Sequence, residues 1–250
     1  MDQKISICIP ARYNSTRLPG KPLLRINGKS IIQRVYENAI QIKNVNRVVV
    51  LTDDERIKKE ITDIGGESII ITDECLNGTD RIIKYLNKFN IDDNIIVNVQ
   101  GDEPFLNPHN IELAIQNYIK RKEASPKMVC STLYYETLDK HEISSKNRGK
   151  SVMDNDGNIM YCSRNVIPSG KKDNIIENYK YRIHIGIFVY DREYLLNSYA
   201  THNTNLQLCE DIEWLKIIED GYQINAVQAD SPEIGVDTIE DFEYLTNKYK

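Results

Sequence analysis

The stretch ISICIPARYNSTRLPGKP, residues 5–22, decides how the rest of the chain is read. Residues 5–9 are a short apolar, β-branched run of the kind that makes a buried strand, and Pro10-Ala11 end it. The chain then turns cationic. Arg12, Arg17 and Lys21 follow at spacings of five and four, threaded through Ser15, Thr16, Pro19 and Gly20 and closed by Pro22. Three fixed positive charges so placed suit a flexible polyanion, and a nucleotide triphosphate is the foremost candidate. Arg would grip phosphate oxygens through its planar fork and Lys as a point charge. The segment is neither a Walker P-loop nor G-x-G-x-x-G, which disfavours ordinary ATPase and dehydrogenase readings.

Outward from this stretch, strand and helix patterns alternate. Residues 47–51, 68–71 and 95–99 read as strands, with helical periods at 30–42, 54–64, 78–89 and 110–121. That alternation predicts an α/β fold with a mostly parallel central sheet flanked by helices. In such a sheet ligands bind beyond the carboxyl ends of the strands, where the loop after residue 9 must lie. Beyond Glu123 the pattern changes: strands are expected at 129–135, 151–154, 159–162, 181–190 and 224–228. Asp156-Gly157 reads as a hairpin turn, 140–150 and 168–179 as loops, and 192–198, 210–219 and 239–248 as helices. The whole is expected to be a single domain of 250 residues, with an antiparallel excursion at about 125–180 suited to a dimer contact.

A formal net charge of −5 argues against general electrostatic binding to nucleic acid. Five scattered cysteines with no C-x-x-C pair argue against a structural zinc site or a disulfide framework, and reduced thiols fit a cytoplasmic protein. No apolar run reaches the roughly 18 residues of a membrane span.

Two acidic motifs complete the pattern. Gln100-Gly101-Asp102-Glu103-Pro104 follows the apolar run 95–99, and a carboxylate at a strand end beside a phosphate-binding loop is where magnesium would be held. Gly235-Val236-Asp237-Thr238 follows the last strand. Asp237 reads on its own as a helix N-cap, and with Asp102 as the second ligand of a metal site. Glu240 and Asp241 read as the first turn of a helix.

With these motifs go Gly78-Thr79-Asp80-Arg81, Tyr161-Cys162-Ser163-Arg164, Ile167-Pro168 and His184 with Gly186. Together and in this order, over nearly the whole chain, they resemble the 3-deoxy-manno-octulosonate (Kdo) cytidylyltransferases, the CMP-Kdo synthetases. The resemblance implies a nucleotide-diphospho-sugar transferase-like fold, a homodimer, and transfer of CMP from CTP to the anomeric hydroxyl of an ulosonic acid. It assigns Arg12, Arg17 and Lys21 to the triphosphate, with Lys21, Arg12, Asp102 and Asp237 carrying the chemistry. Asp102 and Asp237 would ligate Mg2+. Ala11, Gly78, Thr79 and Arg81 would surround cytosine and ribose. Gln100, His184 and Glu213 would face the acidic sugar, with Lys150 and Arg164 near its anionic groups.

The sugar side departs from the family pattern. His-x-Gly-x-Tyr reads His184-Ile185-Gly186-Ile187-Phe188, Glu-Gln reads Glu213-Trp214, and the His and Ser before Gly78 give way to Leu76 and Asn77. A site built to bond a hydroxyl discriminates strongly through that bond. Phe188 and Trp214 therefore raise an acceptor other than plain Kdo, such as an amino-substituted relative, against simple repacking. A different nucleotide, a glycosyltransferase and a non-catalytic nucleotide binder are the other readings. Asp53-Asp54 is a poor substitute for the Asp-x-Asp motif that a glycosyltransferase would want.

Overall fold

The computed structural model describes residues 3–14, 18–232 and 235–249. Its residues group into two compact units, 1–112 with 233–250, and 113–232.

In the first unit, β1 (Ile5–Ala11) is buried at all but one position. It is followed by the small antiparallel pair β2 (Arg25–Ile26) and β3 (Lys29–Ser30), then α1 (Ile31–Ala39), β4 (Arg47–Thr52), α2 (Glu55–Thr62), β5 (Glu67–Ile70), α3 (Gly78–Lys88) and β6 (Ile95–Val99). The strands pair in parallel in the order β6-β1-β4-β5. Every residue of β6 is buried, as expected of a parallel strand with both faces covered. The helices start where short polar side chains satisfy free backbone donors: Ser30, Asp54 and Asn77 accept from the N–H of Gln33, Arg56 and Asp80. One expectation fails here. Pro10-Ala11 does not end the strand, because Pro10 stays in register opposite Leu51 and Ala11 opposite Thr52. Proline gives up one donor, but its φ tolerates an extended strand end.

The second unit is entered through α4 (Pro108–Ala124). It contains β7 (Met128–Thr137), α5 (Lys140–Ser144), β8 (Lys150–Met153), β9 (Ile159–Ser163), β10 (Tyr181–Asp191), α6 (Arg192–Asn197), α7 (Asn205–Glu210), α8 (Leu215–Glu219) and β11 (Gln223–Gln228). β7 lies between β11, parallel to it, and β10, antiparallel; β8 pairs with β10 and with β9. A register shift in β10 between Ile185 and Phe188 spans Gly186. Such a bulge bends a strand and re-aims its side chains.

Two further expectations are corrected. The single helix at 210–219 is two, because Asp211 adopts a left-handed φ of 52° between α7 and α8. The loop at 140–150 contains the one-turn helix α5 and ends as the first residue of β8. The chain finishes in α9 (Ile239–Lys248), which returns to the first unit. Leu245 and Val236 join Ile26 and Ile31 in one buried cluster there.

Candidate active site

The first unit gathers the residues expected around the nucleotide at the carboxyl ends of β1 and β6. Lys21 follows a left-handed Gly20, φ 70°, in a short turn whose Lys21 N–H donates to the Leu18 carbonyl at 3.1 Å. Its Nζ lies 2.6 Å from Asp102 Oδ2 and 3.8 Å from Asp237 Oδ1. The Lys21 and Asp102 side chains are only 13 % and 24 % exposed, so solvent screens this pair less than a surface ion pair. Asp102 and Asp237 come together through the backbone as well, since the Val236 N–H donates to the Asp102 carbonyl at 2.9 Å. Thr238, not Asp237, caps α9, in a reciprocal capping box with Asp241. The Asp237 carboxylate is thereby left facing Lys21.

Two glycines permit the close approach on which this corner depends. A Cβ at Gly101 would lie 2.9 Å from the Pro10 carbonyl oxygen, and one at Gly78 would lie 2.9 Å from Pro10 Cγ. Ala11 is buried at the end of β1, Arg12 is exposed beside it, and Gln100 is half-buried. Thr79 is buried and accepts from Asn98 Nδ2 at 3.3 Å. Arg81 is also buried, and its guanidinium is turned to protein groups: Nη1 donates to the Ile71 carbonyl and Nη2 to Asp53 Oδ2, each at 3.0 Å. Arg17 lies outside the described residues.

The second unit carries the sugar-side candidates other than Gln100, and several of them are committed to protein groups. The Lys150 side chain is fully buried and Nζ donates to the carbonyls of Ser145, Arg148 and Arg164 at 2.7, 2.6 and 2.6 Å. These bonds use all three donors of an ammonium, so Lys150 holds backbone and leaves no donor for a sugar carboxylate. Burial pushes its pKa down to about 8. Arg164 is committed in part, its side chain 34 % exposed. Its Nε donates to the Glu210 carbonyl at 3.2 Å, Nη1 to the Lys146 carbonyl at 3.2 Å and Nη2 to the Asp211 carbonyl at 2.8 Å.

His184, Phe188 and Trp214 meet. The His184 ring centroid is 5.1 Å from Phe188 and 5.3 Å from Trp214, and Phe188 lies 6.0 Å from Trp214. Between His184 and Phe188 in the strand stands Gly186, which has no side chain to separate the two rings, inside the register shift of β10. Phe188 and Trp214 are buried, and both fill packing volume. His184 keeps part of its surface, yet Nε2 is enclosed with no hydrogen-bond partner among the described residues, and burial pushes its pKa down to about 4. The imidazole is therefore neutral at physiological pH. Glu213 is half-buried, and its carbonyl accepts from the Tyr199 hydroxyl at 3.1 Å.

The cytidylyltransferase family model matches residues 6–231. The chain belongs to this cytidylyltransferase family. It is 41 % identical over 235 residues to the 3-deoxy-manno-octulosonate cytidylyltransferase of Protochlamydia amoebophila, covering 93 % of this chain and 89 % of the relative. It is 37 % identical over 249 residues to the 8-amino-3,8-dideoxy-manno-octulosonate cytidylyltransferase of Shewanella amazonensis, covering 98 % of each. A solved structure of CMP:2-keto-3-deoxy-manno-octonic acid synthetase complexed with CTP superposes with a TM-score of 0.86 at 33 % identity, covering 98 % of both chains. The family, its nucleotidyltransferase fold and its enzyme class are those that the motifs imply.

Two residues of this cytidylyltransferase escape a sequence reading. Asp53, considered only as half of a poor Asp-x-Asp motif, accepts from the Tyr13 N–H at 3.0 Å and from Arg81. Its visible signal was an acid at a strand end, the same signal that drew attention to Asp102. Glu210, read as the first residue of a helix, accepts from Tyr161 at 3.2 Å, from Ser163 at 2.9 Å and from the Arg164 N–H at 3.3 Å. It ties the Tyr161–Arg164 motif to the end of α7.

Proposed function

We propose that this cytidylyltransferase transfers CMP from CTP to the anomeric hydroxyl of a 3-deoxy-ulosonic acid, Kdo or its 8-amino-8-deoxy relative. The new bond joins the anomeric oxygen to the α-phosphorus, the bond to the bridging oxygen of the β-phosphate breaks, pyrophosphate leaves, and the hydroxyl proton passes to solvent. The observation that carries this reading is the convergence of Lys21 with Asp102 and Asp237 at the strand ends, 2.6 and 3.8 Å from one ammonium. Phosphoryl-type transfer asks chiefly for positioning and for neutralisation of phosphate charge. Arg12 and Lys21 supply fixed positive charge for the triphosphate. Ala11, Gly78, Thr79 and Gln100 shape the nucleotide's surroundings. On the second unit, neutral His184 is a candidate to position the sugar and not to act as a base.

The same two carboxylates fit Mg2+. They are hard oxygen donors already directed at one cation, and magnesium takes one or two carboxylates and completes its shell with phosphates and water. Among the described residues no group of three or more His, Cys, Asp or Glu could hold a metal, so a site here would be of that sparse kind. Bound magnesium supplies charge neutralisation for the phosphates.

Incubating the protein with each nucleoside triphosphate, Mg2+ and either Kdo or 8-amino-3,8-dideoxy-Kdo, while following pyrophosphate, tests the proposal. Release with CTP and one of the two acids is expected; nucleoside diphosphate as product, or CTP binding with no release for either acid, sinks it. The 8-amino acceptor enters because the chain is 37 % identical to the Shewanella amazonensis enzyme of that name over 98 % of its length. The proposal extends to a cytoplasmic homodimer making activated sugar for surface polysaccharide. A light-scattering mass equal to one 28.9 kDa chain would remove the dimer from it.

A further inference from the structure

Tyr13 is the point at which the cationic loop is held. Its N–H donates to Asp53 Oδ1 at 3.0 Å, and its carbonyl accepts from the Gly20 N–H at 3.0 Å. Its ring lies under the Arg56 guanidinium, 3.6 Å from the centroid, and a Cβ on Gly20 would come within 3.2 Å of it. The two described limbs of the loop, before and after residues 15–17, are thus joined at Tyr13. The far limb leads from Gly20 directly into Lys21, and so to Asp102.

Asp53 follows β4, and its two oxygens serve different elements. Oδ1 takes the Tyr13 amide, while Oδ2 takes Nη2 of Arg81 at 3.0 Å. Arg81 itself is 6 % exposed and anchored through Nη1 on the Ile71 carbonyl. A carboxylate can accept at both ends at once, whereas an amide in its place must present a donor to one of two donors. Shape alone cannot replace the charge.

We propose that Asp53, gripped by Arg81, is a positioning residue that sets the Tyr13–Lys21 limbs for the triphosphate, and that Arg81 acts through Asp53 and not on the nucleotide. This inference rests on the reading of the loop as the triphosphate holder. It gives Asp53 a role and changes that of Arg81, which the family resemblance places beside cytosine and ribose.

The test compares wild type, Asp53→Asn, Arg81→Lys and the double variant, each checked for folding by thermal melting. With Kdo saturating, each single change is expected to raise KM for CTP by about tenfold, the scale of one charge-assisted hydrogen bond. KM for the sugar is expected to stay put, and the double variant to be no worse than the worse single one. An unchanged KM for CTP in folded Asp53→Asn overturns the proposal. So does a double variant in which the two effects multiply, since Arg81 would then act on the nucleotide by itself. A second measurement needs no ligand and no activity. The Tyr13 amide is expected to exchange with deuterium at least about tenfold faster in Asp53→Ala than in wild type, with the β1 amides unchanged; equal rates overturn the inference. If wild type fails to turn over CTP with either ulosonic acid, the functional reading falls on that result, and the Tyr13 amide still decides whether the contact holds the loop.

Discussion

The Lys150 ammonium, enclosed by the carbonyls of Ser145, Arg148 and Arg164, shows how little a charged residue's type says about its task. Sequence places it near the anionic groups of a sugar; the structure makes it a peg for three backbone carbonyls. Lys150→Met, which keeps the length of the stem, would leave these carbonyls without donors. A loss of at least about 2 kcal/mol in denaturant-derived stability is expected. His184 gives a pH signature. Its folded pKa of about 4 lies below the ordinary value near 6.5, so between those values the unfolded chain binds more protons. Stability contributed by the neutral imidazole is present above about pH 6.5 and is lost as pH falls towards 4. His184→Gln should show a shallower decline than wild type across that window in urea titrations. Identical slopes would mean that the ring is solvated in the fold. At Asp102, removal of the carboxylate by Asp102→Ala should lower kcat/KM for CTP by about a hundredfold or more, as loss of a positioned electrostatic group does.

At the scale of elements, the close approach of backbone to backbone shapes the nucleotide corner. Gly101 opens the segment after β6 against the Pro10 carbonyl, and a methyl group there would stand 2.9 Å from that oxygen. Gly101→Ala is expected to cost about 1–3 kcal/mol, the usual penalty of overpacking, and to weaken CTP binding as Asp102 is pushed from Lys21. A calorimetric titration with CTP alongside a thermal melt would separate the two effects; no change in either would show that the corner yields freely. The parallel strands and their helices were legible because hydrophobic period and cap residues agree locally, as at Asn77 before α3 and Asp54 before α2. The break at Asp211 was hidden, since nothing in residues 210–219 forbids a continuous helix and only a left-handed φ divides it. The bend in β10 was half visible in Gly186, but the shift itself depends on register with β7. In the same way Asp102 and Asp237 could be named from strand-end position. That Thr238 would take the cap and leave Asp237 to Lys21 is a matter of side-chain geometry.

Across the molecule, the nucleotide-side candidates belong to one unit and the sugar-side candidates, Gln100 apart, to the other. The first set is read mostly from motif and charge. The second is set by packing of aromatic rings and carbonyl cages, which sequence expresses poorly. The cysteines offer a probe of the whole fold. Cys8, Cys130 and Cys162 are buried, with the Cys162 thiol pushed up to about 12 by burial, whereas Cys209 is exposed and Cys75 half-buried. Because the thiolate is the reactive form, a maleimide should label Cys209 first, Cys75 more slowly and the other three only on unfolding, as read by mass spectrometry. Early labelling of Cys8 would place β1 at the surface.

The return of α9 to the first unit also bears on the order in which the molecule is made. Val236 and Leu245 complete a cluster begun by Ile26 and Ile31, Tyr249 stacks on Phe105 at 3.6 Å, and Asp237 comes to Lys21 from the same late segment. On the ribosome, the first unit therefore emerges early and waits through synthesis of the second before its core and its pair of carboxylates can close. A nascent chain halted before residue 235 should hold the sugar-side unit folded while its nucleotide side stays open to proteases.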